Sequence, residues 1–191
     1  MNNKLLKGAL SAMAFGAGSL FAADTVTSFN PYVEVKGAFV KPAKRENIKY
    51  KNGYMAAAEF GVAYDSFRLG MEASYRQAKV KDADDGSKVK APAVMINAYY
   101  DYALTDEAAL YAGLGLGVAH YGWRLGAETV ERAKFVFAWQ VMAGVSYDIN
   151  ENWTVAAGYR LFNTAKVKTA ADKKVKTPFM HAIELGLRYS F

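Results

Sequence analysis

Two histidines, one glycine run and a set of charges at alternate positions are the places where this 191-residue chain could do chemistry. His120 or His181 would act as a general base if a serine nucleophile and an orienting carboxylate stood beside it. Lipid deacylases use a His-x-Ser arrangement for this. Here Gly122 holds the serine position, and no serine lies within two residues of His181. Gly113-Leu-Gly-Leu-Gly117 looks superficially like a phosphate-cradling loop, but it has neither the fuller spacing nor a following helix. With no cysteine, thiolate catalysis, disulfides and Cys-based metal sites are excluded. The expectation is a chain that is not an enzyme and has no cofactor.

The remaining chemistry is electrostatic, and its position depends on secondary structure. From Asn30 onward, segments of about ten residues with apolar residues at every second place alternate with polar connections, the pattern of a transmembrane β-barrel. Eight strands are expected: Tyr32 to Val40, Tyr54 to Tyr64, Phe67 to Lys79, Ala93 to Leu104, Leu110 to Tyr121, Lys134 to Tyr147, Trp153 to Asn163 and Phe179 to Phe191. One parity is apolar throughout, as in Leu69, Met71 and Tyr75, or Ile183, Leu185, Leu187, Tyr189 and Phe191. A soluble sandwich would need polar residues on its solvent face. Rings at strand ends, among them Tyr64, Phe67, Tyr102, Tyr147, Trp153 and Tyr189, are expected to form an interfacial girdle.

Three connections are short: Asp65-Ser66, Thr105 to Ala109 and Asp148 to Asn152. Four are long: Lys41 to Gly53, Val80 to Pro92, Gly122 to Ala133 and Thr164 to Pro178. Barrels of this kind have short periplasmic turns and long external loops, so both ends of the barrel domain are expected on the periplasmic side. Ahead of the strands, Lys4 and Lys7 precede an apolar run from Ala9 to Phe21 with Ala22 and Ala23 after it, which reads as a cleaved signal peptide over residues 1–22. The barrel domain would then be 23–191. The expected fold class is all-β: an eight-stranded antiparallel up-and-down transmembrane barrel. In that topology the strands carrying His120 and His181 are not neighbours, so a paired-histidine metal site has no support.

The other strand parity places Glu34, Glu59, Glu72, Asp101 and Glu184 in the lumen with Lys36, Arg68, Arg76, Arg160 and Arg188. Five charges of each sign can satisfy one another, and an unpaired charge away from water is costly. Eight strands enclose little more than side-chain volume, so a plug of ion pairs is expected rather than a wide pore. Gly70, Gly113, Gly115, Gly117, Gly144, Gly158 and Gly186 share this parity and leave room for long side chains.

Outside the lumen, the long loops together with Lys79 and Lys134 at the adjoining strand ends hold seventeen basic and seven acidic residues. Most of the excess lies in the first loop (Lys41, Lys44, Arg45, Lys49 and Lys51) and the last (Lys166, Lys168, Lys173, Lys174 and Lys176). Exposed lysines concentrate anions, so lipopolysaccharide phosphates, other anionic polymers or a host surface are the expected partners. Nucleic acid is not, because loop aromatics are limited to Tyr50 and Trp123 and an outward-facing barrel rarely meets it.

Three stretches carry a resemblance: Tyr111-Ala-Gly-Leu-Gly-Leu-Gly-Val-Ala119, Ala138-Trp-Gln-Val-Met-Ala-Gly-Val-Ser-Tyr-Asp148 and Trp153-Thr-Val-Ala-Ala-Gly-Tyr-Arg160. The chain resembles the opacity-protein-like outer-membrane barrels, and these motifs with the final strand cover most of its C-terminal half. The resemblance implies eight strands with four variable external loops, an outer-membrane location, and a role as adhesin, surface antigen, structural barrel or small-molecule barrel. It also implies that the terminal aromatics, Tyr189 and Phe191, are the signal read by the barrel-insertion machinery. The expected function is a structural or surface-interaction barrel; the alternative is a narrow channel or hydrophobic-solute conduit.

Overall fold

A computed structural model describes residues 29–43, 50–80, 88–124, 134–165, 167–168, 174–175 and 179–191. The expected signal peptide, and within the loops Lys44, Arg45, Lys49, Lys166, Lys173 and Lys176, lie outside the described residues.

Eight strands close into one antiparallel barrel: β1 (Asn30–Pro42), β2 (Tyr50–Tyr64), β3 (Phe67–Val80), β4 (Lys88–Ala103), β5 (Ala108–Arg124), β6 (Lys134–Asp148), β7 (Trp153–Thr164) and β10 (Met180–Ser190). Each pairs with its neighbour in sequence, and β10 closes onto β1 from Tyr32↔Ser190 to Pro42↔Met180. A two-residue ladder, β8 (Val167–Lys168) with β9 (Lys174–Val175), sits in the last loop.

Alternation decides which way each residue points. Val33, Val35 and Phe39 are exposed on β1 while Glu34, Lys36 and Val40, at the alternate positions, are buried. On β10, Ile183 and Leu185 are about 70% exposed, yet Glu184 between them is 3% exposed. An apolar belt of this extent has no counterpart on a water-soluble surface, and hydrocarbon is the solvent that suits it. Among the described residues no helix is long and apolar enough to cross a membrane; strands make the crossing.

Turn chemistry sets the registers. Asp65 adopts φ 51°, a left-handed conformation that Asp tolerates, and with Ser66 it links β2 to β3. Thr105 Oγ1 accepts from the Ala108 amide at 3.0 Å in the turn before β5. Asn150 Oδ1 accepts from the Asn152 and Trp153 amides at 3.0 and 2.9 Å, starting β7. At this end the girdle rings pack in tilted or edge-on pairs: Phe29–Tyr64, Phe67–Tyr100 and Trp153–Tyr189.

Several strands run further out than sequence alternation implies. Tyr50–Gly53 belong to β2, Lys88–Pro92 to β4 and Gly122–Arg124 to β5, although all were expected in loops. The 16 residues of β4, at ~3.3 Å each and ~40° tilt, rise roughly 40 Å against an apolar band about 25 Å tall. The excess therefore stands in water on the long-loop side, where nothing enforces apolar alternation. Pro92 is tolerated inside β4 because the β4–β5 ladder passes over Ala91 and Pro92 and resumes in the same register, from Lys90↔Gly122 to Ala93↔Ala119.

Candidate functional site: the lumen and the outer rim

The lumen is organised by one register row. Arg188, Glu34, Glu59 and Glu72 stand directly opposite one another on β10, β1, β2 and β3. Three carboxylates in adjacent register positions repel, so the row holds together only if cations are inserted. Lys36 supplies the first: its Nζ lies 2.8 Å from Glu59, 3.3 Å from Glu72 and 3.7 Å from Glu34. Arg160 supplies the second from the far wall, on β7. Its NH1 and NH2 donate to Glu72 Oε1 and Oε2 at 2.6 and 2.9 Å, and its Nε donates to Glu184 at 2.8 Å. Arg160 and Glu72 are fully buried. A bidentate guanidinium–carboxylate pair is the arrangement that best offsets such burial.

Uncharged polar groups complete the network. Asn97 donates to Glu59 at 2.8 Å, Gln140 donates to Asn97 at 2.8 Å, and the hydroxyls of Tyr32 and Tyr99 donate to Glu59 at 2.7 and 2.8 Å. The charge count on the inward parity does not single out these four residues; the same parity, read for amides and phenols, does. Arg68 forms a second centre towards the short turns. It meets Asp101 through two hydrogen bonds, of 2.5 and 2.8 Å, and lies 4.4 Å from the Tyr99 ring centroid. On the opposite side of the row Arg76 covers the Phe162 ring at 3.9 Å and donates to Gln140 at 3.1 Å; it reaches Glu72 only at 3.9 Å.

Arg188 departs from the expected pairing. Among the described residues it has no ion pair, and its guanidinium instead lies 5.8 Å from the Tyr32 ring centroid. Opposite it, Glu34 Oε2 is buried without a hydrogen-bond donor. It borders a cavity of only about 10 Å³ that Arg68, Tyr111 and Arg188 also line, barely the volume of one water.

The ionic network fills only part of the lumen. Towards the long loops it gives way to an apolar layer containing Val40, Met55, Met95, Ala119, Phe162 and Met180. Flexible Met side chains fill such irregular space well. Towards the short turns the lumen opens into a vestibule of about 520 Å³ whose walls include Asp65, Asp106, Glu107, Asp148 and Glu151. Vestibule, ionic layer and apolar layer follow one another without a wide passage through the described barrel.

At the outer rim, Lys41 is described and exposed, directly opposite His181 across the β1–β10 seam. His181 Nδ1 shares a hydrogen bond with the Tyr159 hydroxyl, and His120 packs against Phe135 with centroids 5.1 Å apart. Lys51 falls within β2, and Lys168 stands opposite Lys174 in the β8–β9 ladder. Among the described residues, no group of three His, Asp or Glu side chains is arranged to hold a metal ion. Tyr189 stacks edge-on with Trp153 at 4.9 Å and with Phe191 at 5.1 Å, and the Phe191 amide donates to the Pro31 carbonyl at 3.0 Å.

Comparison with known proteins agrees with this architecture. The chain is 24% identical over 214 residues to outer membrane protein PagN of Salmonella typhimurium, covering 93% of this chain and 84% of that protein. The crystal structure of Neisserial surface protein A superposes with a TM-score of 0.64 at 20% identity, covering 88% of this chain and all of that one. OprG of Pseudomonas aeruginosa superposes with a TM-score of 0.59 at 16% identity, over 86% and 97% of the two chains. Residues 8–191 match the family described as outer membrane protein beta-barrel domain. The chain belongs to that family and is an eight-stranded β-barrel of the bacterial outer membrane.

Proposed function

We propose that this barrel is a structural, surface-interacting protein whose basic external loops contact anionic groups, the phosphates of lipopolysaccharide or the anionic polymers of a host surface. The observation that carries this reading is Lys168 directly opposite Lys174 in the last loop. Like charges in opposed positions destabilise a ladder, and a bound anion reverses that sign. Lys41 and Lys51 flank the first loop, and with Lys44, Arg45, Lys49, Lys166, Lys173 and Lys176 they concentrate the basic excess in two of the four loops. The filled lumen argues against the channel or conduit reading, because conduction needs a continuous water path.

The test replaces both clusters by glutamine and measures binding of the refolded barrel to a sulfated polysaccharide and to purified lipopolysaccharide over a salt series. Binding that weakens with salt and is lost in the variant supports the proposal. Unchanged binding overturns it. Steady single-channel openings of the wild-type barrel in a planar bilayer would favour the conduit instead.

A further inference from the structure

At the short-turn end of the lumen one register row runs Glu34, Arg188, Thr154, Asp148 across β1, β10, β7 and β6. Arg188 stands between two carboxylates in this row and pairs with neither. Asp148 Oδ1 accepts from the Thr154 hydroxyl at 2.5 Å. Glu34 Oε2 is, among the described residues, the one buried side-chain polar atom without a hydrogen bond, and its nearest cations, Lys36 and Arg68, stay at 3.7 and 3.8 Å. A buried carboxylate oxygen left undonated is costly, and the guanidinium directly opposite is the group placed to relieve it. Arg188 is turned away instead, over the Tyr32 ring and into the wall of the vestibule.

The vestibule, of about 520 Å³, has the size of a small-molecule site. All three short turns contribute acids to its walls: Asp65, Asp106, Glu107, Asp148 and Glu151. The cations in those walls are Arg68, which Asp101 holds through two hydrogen bonds, and Arg188. One uncommitted, half-buried guanidinium therefore shares a cavity with five carboxylates. A free anion is repelled by the acidic excess, and a plain cation leaves Arg188 unanswered. The complementary occupant is dipolar, with a carboxylate at one end for the bidentate guanidinium and ammonium groups at the other. Its length follows from the row: β10 and β6 are two strand spacings apart, ~10 Å between backbones, and two or three extended peptide residues span about 7–10 Å.

We infer that the vestibule is a binding site for a short basic peptide, its C-terminal carboxylate on Arg188 and its ammonium groups on Asp148, Glu151 and the neighbouring turn carboxylates. The peptide is held at this floor and does not pass, because the cavity behind Arg188, beside Glu34, measures only about 10 Å³. With short turns on the periplasmic side, the site takes its ligand from the periplasm. It lies at the opposite end of the barrel from the lysine-rich loops, so it stands or falls separately from the loop reading.

Isothermal titration calorimetry of the barrel purified from membranes in detergent tests the site, with the dipeptide Lys-Ala, its C-terminal amide, N-acetylalanine, putrescine and free alanine as probes. Heat-modifiable mobility on gels reports that each variant is folded. Lys-Ala should bind at least roughly tenfold more tightly than each other probe, the lower end of what a hydrogen-bonded charge contributes. Arg188→Gln should bring Lys-Ala down to the level of its amide without weakening the amide itself. Asp148→Asn/Glu151→Gln should weaken Lys-Ala and putrescine alike, and Lys168→Gln/Lys174→Gln should change neither. Putrescine or the amide binding as tightly as Lys-Ala would reveal a plain cation trap and overturn the site. Free alanine doing so would overturn the peptide-length bridge. No binding at millimolar Lys-Ala, or undiminished binding by the Arg188 variant, would also overturn the proposal.

Discussion

Replacing Arg160 by Met should destabilise the barrel by about 3–5 kcal/mol, the usual cost of breaking a buried ion pair from one side. Met keeps most of the side-chain length without strain, so the change isolates the charge. Arg160 is fully buried and donates four hydrogen bonds, two to Glu72, one to Glu184 and one to Gln140. Glu72 would still have Lys36 at 3.3 Å and Arg76 at 3.9 Å. Glu184 would not: among the described residues Arg160 is its one ionic partner, and it is 3% exposed. Most of the loss therefore belongs to Glu184, and Glu184→Gln in the Arg160→Met background should recover about 2 kcal/mol by removing the stranded charge. By itself, Glu184→Gln should cost about 1–3 kcal/mol. The assay is urea unfolding of the barrel in phospholipid vesicles, followed by tryptophan fluorescence. With an m-value of about 2 kcal/mol/M, Arg160→Met should lower the midpoint by roughly 2 M. A shift below about 0.5 M, or a double variant less stable than Arg160→Met, would refute the network as described.

Two further perturbations separate packing from recognition. A Cβ added at Gly158 would sit 2.0 Å from the Tyr111 hydroxyl, whereas one at Gly37 meets nothing within 4 Å; Gly158→Val should cost about 1–3 kcal/mol and Gly37→Ala close to none, by the same urea midpoints. Deleting Phe191 removes an exposed ring packed on Tyr189 and should cut the outer-membrane yield several-fold in cell fractionation while leaving refolding in detergent intact; normal yield would contradict an assembly role for that residue.

Strand number, neighbour order and the inward set of ten charges are legible in the sequence because hydrocarbon enforces a strict period of two. Ile183, Leu185 and Leu187 can be read as lipid-facing without coordinates. Legibility ends where the enforcing solvent ends. Lys88 to Pro92 and Gly122 to Arg124 continue their strands beyond the reach of the apolar band, and Pro92 in particular looks like a boundary when only its lost donor is considered. The apolar lumenal layer is hidden for the opposite reason: at Ala93, Met95 and Ala119 both strand parities are apolar or small, so no contrast marks the inner face. Arg188 shows the limit of counting charges. Its register places it opposite Glu34, but side-chain direction takes the guanidinium over Tyr32.

The span of the lumenal network also bears on how the barrel closes. Lys36 and Glu59 come from the first hairpin and Glu72 from the third strand, but Arg160 and Glu184 arrive only with β7 and β10. Strands β1 to β6 alone therefore hold Glu34, Glu59 and Glu72 in one row with Lys36 but without the guanidinium that pairs Glu72, a charge set that is costly to remove from water. Pairing β10 with β7 sets Glu184 beside Arg160, and closing the ring lets Arg160 reach Glu72 across the lumen. The bidentate partner of Glu72 is thus present only once β7 has been added, and Glu184 on the strand next to it completes the pairing of Arg160, so the network is whole only in the full eight-stranded ring.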